Sequence, residues 1–396
     1  MTSFFGYRSR RAALLIPLVL SLFFSPLAAW SQSDGGVLAA RETAATDDRA
    51  DVRAQEVDAM LSKYFKPGEP GAAIIISQHG SVLFRKTYGL ADTGKSVPLR
   101  PELPLRTGSL TKQFTAAAIM LLAEQGKLSV SDEIGKYLPG YPAQGRYVTI
   151  EHLLTHTSGI RNYTALPQFG AVMTKDVSVD DAIAFFKDAT PEFQPGQRFS
   201  YSNSNYFLLG AIIEKVSGMN YPDFMRQYIF QPLQMADTDI EKAGSPPATV
   251  LGYTQDRKGI AGVPYYSMSW PFAAGALRTS VDDLVLWDRA VTAGTLLRRE
   301  SWERMATDYT LNGGKHTGYG YGWFVRTLGG SNALEHGGDI GGFSADTWRF
   351  PKEGLFIAVL ANNDAHEPAP DAVAEKIAKI LLRHERNRPA APLSSP

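Results

Sequence analysis

"RTGSLTKQFTAAAIMLLAEQGKL", residues 106–128, reads as an apolar helix that carries a serine and a lysine three residues apart at its start. Helix positions three apart share a face, with about 5–6 Å between Cβ atoms, so Ser109 and Lys112 can touch. The serine falls in the first turn, among free backbone N–H groups and at the positive end of the dipole. Because the helix is apolar on nearly every side, it is predicted to be buried and to take the lysine with it. Desolvation favours the neutral amine over the ammonium, whose reference pKa is about 10.4. A neutral amine beside a hydroxyl can take its proton, which makes the pair a candidate base and nucleophile. Taken alone, the spacing fits better a lysine that snorkels to solvent and a serine that caps the helix.

Working outward, a helical pattern with Val57, Met60, Leu61 and Phe65 at core spacing ends at Pro67-Gly68. "AAIIIS" (72–77) and "SVLFRKTYG" (81–89) then predict two strands about a His79-Gly80 turn. From about Thr107 to Ala274 helices and long loops prevail, clearest at 113–125, 179–188 and 204–217. A helix over 281–290 follows, then strand-like runs at 320–327, 333–337, 343–350 and 355–361, and a helix over 370–383. This order predicts an α+β fold: an antiparallel sheet built from both chain ends and flanked by helices, with a mainly helical insert. The globular domain is placed at 51–385, its sheet part at 51–106 and 275–385 and its helical part at 107–274.

The composition fits that picture. In 396 residues, 44% hydrophobic and 20% charged content leaves room for a sizeable core. Net charge is zero and no basic run is interleaved with aromatics, so no nucleic-acid partner is expected. Arg8, Arg10 and Arg11 precede an apolar stretch from Ala12 to Ala29. With Ala29-Trp30-Ser31 behind it, residues 1–31 read as a secretory signal cleaved after Ser31, too short in its apolar core for a stable membrane anchor. Arg10-Arg11 leaves the twin-arginine route open. Removing this segment takes three arginines and no acid, leaving a net charge of −3. Residues 32–50 read as a flexible linker and 386–396 as a disordered tail. The absence of cysteine rules out disulfides and a thiol nucleophile. A periplasmic or secreted location is expected.

Two further stretches carry chemistry. "RFSYSNSNYFLLGAIIEKVSG" (198–218) sets Tyr201 and Asn203 before an apolar helix. A phenol can relay a proton and a carboxamide can both donate and accept, although taken alone the stretch fits better an Asn203 that caps the helix and a Tyr201 that packs at its mouth. "ALEHGGDIGGFSADTWRF" (333–350) places His336, Gly337 and Gly338 near a strand end, where glycines admit close backbone approach.

Together these elements resemble the serine β-lactamase and penicillin-binding protein superfamily, whose Ser-x-x-Lys element Ser109 and Lys112 match. The likeness is greatest to its class C-like branch, which includes D-alanyl-D-alanine carboxypeptidases, D-aminopeptidases and family VIII carboxylesterases. There the middle element is Tyr-x-Asn, matched by Tyr201 and Asn203, and the third is often His-x-Gly, matched by His336 and Gly338. "LLTHTSGI" (153–160), "FAAGALRTSVDDLVLW" (272–287), "GYGYGWFV" (318–325) and "GLFIAVLANND" (354–364) look like the same family, so the resemblance runs from about Gly71 to Leu382.

The resemblance implies that Ser109 becomes acylated with Lys112 as its proton acceptor, and that Tyr201 acts with Lys112 as acid to the leaving group. It implies that Asn203 holds a substrate amide, that His336, Gly337 and Gly338 border the substrate, and that the backbone N–H groups of Ser109 and Asp339 form the oxyanion hole. His336 stands where many relatives have a lysine, and Gly337 where threonine or serine is common. Both departures weaken the grip on a substrate carboxylate and favour an esterase or D-peptidase over a class C-like β-lactamase. A penicillin-binding sensor with little turnover is the remaining alternative. The expected partner is a small-molecule or peptide substrate, including peptidoglycan-derived peptides; oligomeric state is left open.

"KHTG" at 315–318 imitates the third element, but its flanking glycines describe a loop, and His316 is assigned to the surface. His152 and His156 lack the His-Glu-x-x-His spacing of a zinc helix, so no metal is expected, and His156 is read as shaping the loop beside the site. No G-x-G-x-x-G follows a strand, so no nucleotide cofactor is expected. The loops 160–175 and 255–275, with Tyr163, Phe169, Tyr265, Tyr266 and Trp270, are expected to wall the pocket.

Overall fold

The computed structural model describes residues 48–142, 147–245 and 248–386. The segment read as a signal peptide, most of the linker and the tail after Arg386 lie outside these residues. The elements that position the site are α1 (Asp48–Tyr64), β1 (Ala72–Gln78), β2 (Ser81–Tyr88), α2 (Thr111–Glu124), α3 (Asn203–Ser217) and α4 (Val281–Ala293). They continue with β3 (Phe324–Leu328), β4 (Ser331–Ile340), β5 (Phe343–Phe350), β6 (Leu355–Ala361) and α5 (Pro370–Arg386).

The six strands form one antiparallel sheet in the order β3-β4-β5-β6-β1-β2, so both chain ends build it, as the sequence predicts. Strand side chains alternate between faces, and here both faces are covered. From β1, Ala72, Ile74 and Ile76 share one core with Val57 and Leu61 of α1 and Val373 and Ile377 of α5. Ala73 and Ile75 point the other way, into a larger core with Phe114 of α2 and Leu284 and Trp287 of α4. That two-sided burial explains why β1 reads as an unbroken apolar run. Each fully buried side chain of this kind contributes about 1.5–3 kcal/mol. At the β1–β2 turn His79 has φ 48° and Gly80 φ 77°. Positive φ at both central residues matches the twist of the flanking strands.

Several boundaries differ from expectation. The first helix begins at Asp48, inside the segment assigned to the linker, and the last runs to Arg386 rather than Arg383. The run 320–327 is a strand only from Phe324. Gly322 has φ 78°, and a Cβ on it would lie 2.8 Å from both the Lys112 carbonyl oxygen and Gln113 Cα, so this loop presses on the first turn of α2 instead of pairing. The helical part also holds β structure: a hairpin of Tyr253–Asp256 with Gly259–Gly262, and Asp239–Ile240. The latter pairs with Leu277–Thr279, which pairs with Leu105–Arg106. This small sheet ties the chain's entry into the helical part to its exit, just ahead of Ser109. Arg106 strengthens it by a two-pronged bond to Glu241 at 2.7 and 2.8 Å.

Candidate active site

Ser109 lies in a single 3-10 turn, Gly108–Leu110, that leads directly into α2. Backbone and threonine bonds hold the turn, without the serine side chain. Thr107 N–H donates to Leu277 O at 3.1 Å, Thr111 Oγ1 donates to Gly108 O at 2.7 Å, and Leu277 N–H donates to Thr111 Oγ1 at 3.0 Å. Gly108 has φ 51°, a conformation open to glycine at no steric cost.

Lys112 is wholly buried. Its Nζ lies 2.9 Å from Ser109 Oγ, 2.8 Å from Asn203 Oδ1 and 2.7 Å from the Ala274 carbonyl oxygen. Burial lowers its pKa well below the ordinary lysine value. The two carbonyl oxygens can only accept, so they take the two N–H groups of the neutral amine. Of the three partners only the Ser109 hydroxyl can donate, and it therefore faces the amine lone pair. The arrangement is that of a base poised on a nucleophile.

Tyr201 and Asn203 flank Ser202, the N-cap residue of α3. Asn203 does not cap the helix; its carboxamide oxygen is engaged by Lys112. The Tyr201 ring lies against the Lys112 amine, with Nζ 4.8 Å from its centroid. Its hydroxyl hydrogen-bonds with Ser109, yet burial raises the phenol's pKa well above 10 and keeps it protonated. A phenol between the serine oxygen and the cleft can pass a proton but does not supply a phenolate base.

On the far side of Ser109 runs β4, with His336, Gly337, Gly338 and Asp339. A Cβ on Gly338 would fall 2.2 Å from Thr107 O and 2.5 Å from Ser109 N, and one on Gly108 would fall 3.0 Å from Asp339 N. Only glycines allow this approach, which brings the Gly338–Asp339 backbone against the turn that carries Ser109. β3 pairs with β4 only as far as Glu335, so residues 336–340 present an open edge on that side.

His336 borders the cleft but is 2% exposed. Its Nδ1 lies 2.6 Å from Gly337 O, to which only an N–H can donate, which leaves Nε2 to accept from the Tyr319 hydroxyl at 3.1 Å. Burial, with Lys112 nearby, lowers its pKa to about 3. The imidazole is thus neutral and does not replace the positive charge of the lysine found there in many relatives. His316 sits exposed in its loop, 3.6 Å from Asp308. His152 closes a capping box at the start of Ile150–Leu154, its Nδ1 accepting the Thr149 N–H at 3.1 Å. Of the aromatics expected to wall the pocket, Tyr163 and Tyr266 do so. Phe169 and Trp270 pack into the core behind them, and Tyr265 turns outward to Asp176.

His156 is closer to the chemistry than its sequence context indicated. It is fully buried at φ 56°, and its Nδ1 accepts the Ser202 N–H at 3.2 Å. Its ring lies 4.3 Å from that of Tyr201. Asparagine tolerates positive φ and keeps an acceptor near the Nδ1 position, but lacks the ring. His156→Asn is therefore expected to lower kcat about tenfold with little change in KM, while His156→Ala loses fold stability as well. Steady-state kinetics beside thermal unfolding checks this, and an unchanged kcat in His156→Asn would remove the ring from any role in placing Tyr201.

Comparison with known proteins agrees with this geometry. The family model described as Beta-lactamase matches residues 51–382. Protein flp of Staphylococcus aureus strain MW2 is 29% identical over 343 residues, 84% of this chain and 67% of that protein. The octameric penicillin-binding protein homologue of Pyrococcus abyssi superposes with a TM-score of 0.70 at 30% identity, over 85% of this chain and 77% of that one. The D-stereospecific amidohydrolase of a Streptomyces species superposes with a TM-score of 0.67 at 26% identity, over 82% and 98%. With a buried lysine set against a helix-start serine and a family match across nearly the whole domain, the chain belongs to the Beta-lactamase family.

Proposed function

We propose that the protein is an exported serine hydrolase that forms an acyl-enzyme on Ser109 and acts on an ester or a D-amino-acid peptide or amide. The observation that carries this reading is the buried Lys112 amine, 2.9 Å from Ser109 Oγ with its N–H groups committed elsewhere. Ser109 Oγ attacks the substrate carbonyl as its proton passes to Lys112. The negative oxygen is met by the N–H groups of Ser109 and Asp339, one such donor being worth about 2.7–4 kcal/mol. The intermediate collapses, and the proton returns from Lys112 through Tyr201 to the leaving alcohol or amine. Water then enters, gives a proton to Lys112 and adds to the acyl carbon; the bond to Ser109 Oγ breaks, the acid leaves, and Lys112 returns the proton to Ser109 Oγ. Asn203 keeps its Nδ2 for the acyl group's amide oxygen.

A true β-lactamase is disfavoured because the neutral His336 offers no positive charge to a lactam carboxylate. An intact base and proton relay argue against a sensor that is acylated and stalls. Export rests on the basic and then apolar character of residues 1–31. Recovered from outside the cytoplasm with its amino terminus at Gln32, the protein should turn over p-nitrophenyl esters or D-alanyl peptides faster than a chromogenic cephalosporin. A stable penicillin adduct with no product release would favour the sensor instead, and an uncleaved terminus would remove the export claim.

A further inference from the structure

One arm of the cleft beside Ser109 has a volume of about 110 Å³ and is walled by Tyr163, Asn203, Tyr266, Pro271 and Ile340. On the reading proposed above, Asn203 meets the acyl group while Tyr201 hands a proton to the departing group, so this arm receives the acyl group. A cavity of about 150 Å³ takes a benzene ring, so an arm of this size holds an acyl chain of about four carbons.

Two of these walls, Tyr266 and Pro271, belong to the segment 265–271, and a third is tied to it, since the Tyr163 hydroxyl donates to Trp270 O at 2.7 Å. The neighbouring segment 172–177 pins this one. Ser267 N–H donates to Met173 O at 3.0 Å, Trp270 Nε1 to Lys175 O at 3.0 Å, and Val177 N–H to Ser269 Oγ at 3.0 Å. Asp176 adds a side-chain grip. Its Oδ1 accepts from Ser267 Oγ at 2.6 Å and from the Tyr265 hydroxyl at 3.1 Å, the residues on either side of Tyr266. A short hydroxyl bond to a carboxylate is about twice as strong as one between neutral groups. Ser267 is fully buried, whereas Asp176 is exposed and lines neither arm of the cleft. Tyr266 has no such anchor of its own. Its hydroxyl has no hydrogen-bond partner among the described residues, and its Cβ rests 3.8 Å from where a Cβ on Gly341 would lie. The place of its ring is therefore set by the backbone at residues 265 and 267.

We propose that Asp176 is a positioning residue for acyl-chain selectivity: by gripping Tyr265 and Ser267 together it fixes Tyr266 as a wall of the acyl arm, and so limits the substrate to acyl groups of about four carbons or fewer. This role rests on the serine-hydrolase reading and adds to it a limit on the acyl half of the substrate.

The test measures kcat/KM for p-nitrophenyl acetate, butanoate and octanoate, each divided by the ester's alkaline hydrolysis rate to remove intrinsic reactivity. A methylene that a pocket cannot hold costs about tenfold or more, so butanoate should exceed octanoate by at least that factor. Tyr266→Ala should raise octanoate relative to butanoate by about tenfold. Asp176→Ala should raise it by about threefold, because Met173 O and Lys175 O still hold Ser267 and Trp270. Asp176→Asn keeps an acceptor oxygen for both hydroxyls and should retain the parent's ratio. A thermal melt accompanies each variant, since a fold that is merely loosened lowers all three esters alike and leaves the ratio in place. Should Asp176→Ala not fold, Ser267→Ala removes the shorter of the two bonds from the other side and must shift the ratio the same way. A parent ratio near one, or in favour of octanoate, overturns the size limit and leaves the serine-hydrolase reading standing. A ratio unmoved by Tyr266→Ala overturns its place as the limiting wall. A ratio that moves with Tyr266→Ala but with neither Asp176→Ala nor Ser267→Ala overturns the grip, as does an equal shift in Asp176→Asn and Asp176→Ala. No turnover of any ester and no acyl adduct on Ser109 overturns both readings.

Discussion

Replacing Ser109 by alanine is expected to eliminate the acyl adduct and to lower ester turnover by about 10⁴-fold or more, with the fold unchanged. The magnitude follows from nucleophile deletions in enzymes whose base and nucleophile act as a unit. Of the three polar partners of Lys112 Nζ, Ser109 Oγ is the only hydroxyl, so nothing else in its reach can be activated. The turn that holds Ser109 is secured by Thr107, Thr111 and Leu277, none of which the substitution touches. Residual activity would come from the backbone donors and the shape of the cleft. Intact-mass measurement after incubation with an activated ester, alongside a thermal melt, separates loss of chemistry from loss of fold. Equal turnover by the parent and Ser109→Ala would end the acyl-enzyme account.

Lys112→Met is expected to lower kcat/KM by about 10³-fold or more, and also to change how stability depends on pH. Methionine fills the same channel without an amine. In the native protein the buried amine is neutral, whereas in the unfolded chain it is an ammonium up to about pH 10.4. The unfolded state therefore binds one more proton, and stability rises with pH between the depressed native pKa and that value. The expected slope is roughly tenfold in the folding constant per pH unit from this one group. The variant loses that contribution, although it leaves the Ala274 carbonyl and Asn203 Oδ1 without their N–H donors. Denaturant unfolding of both proteins from pH 7 to 10 checks the claim. If the difference between them stays flat across this range, the amine is protonated in the fold and cannot serve as the resting base.

The parts of this site that follow short-range rules were legible in the sequence. The spacing of Ser109 and Lys112 sets their contact through one helical turn, and the apolar surroundings of Lys112 announce its burial. The strand 355–361 was readable residue for residue because its uninterrupted apolar run fits a sheet covered on both faces, and 343–350 because Gly342 and Pro351 bound it. What could not be read depends on partners far away in the chain. His336 is neutral because Tyr319 and its own strand enclose it, and the sequence shows only a histidine among glycines. The third ligand of the Lys112 amine, the Ala274 carbonyl, carries no side-chain signature at all. "GYGYGW" looks like a strand by alternation, but Gly322 is there to let the loop rest on α2. His156 could have been weighed more heavily, since a histidine inside a Thr/Ser/Gly loop beside an apolar helix has little reason to be there for solubility.

The pairing of Ala72 with Ala361 has a temporal consequence. Nearly the whole domain must leave the ribosome before β6 can receive β1, and β4, which supplies Asp339 and Gly338, is itself synthesised long after Ser109. Such non-local closure makes for slow assembly relative to a chain of local contacts. Until it happens the turn that carries Ser109 lacks the β4 backbone packed against it. On the function proposed here, a nascent or half-folded chain is chemically silent, and hydrolytic power is switched on only with the last strands.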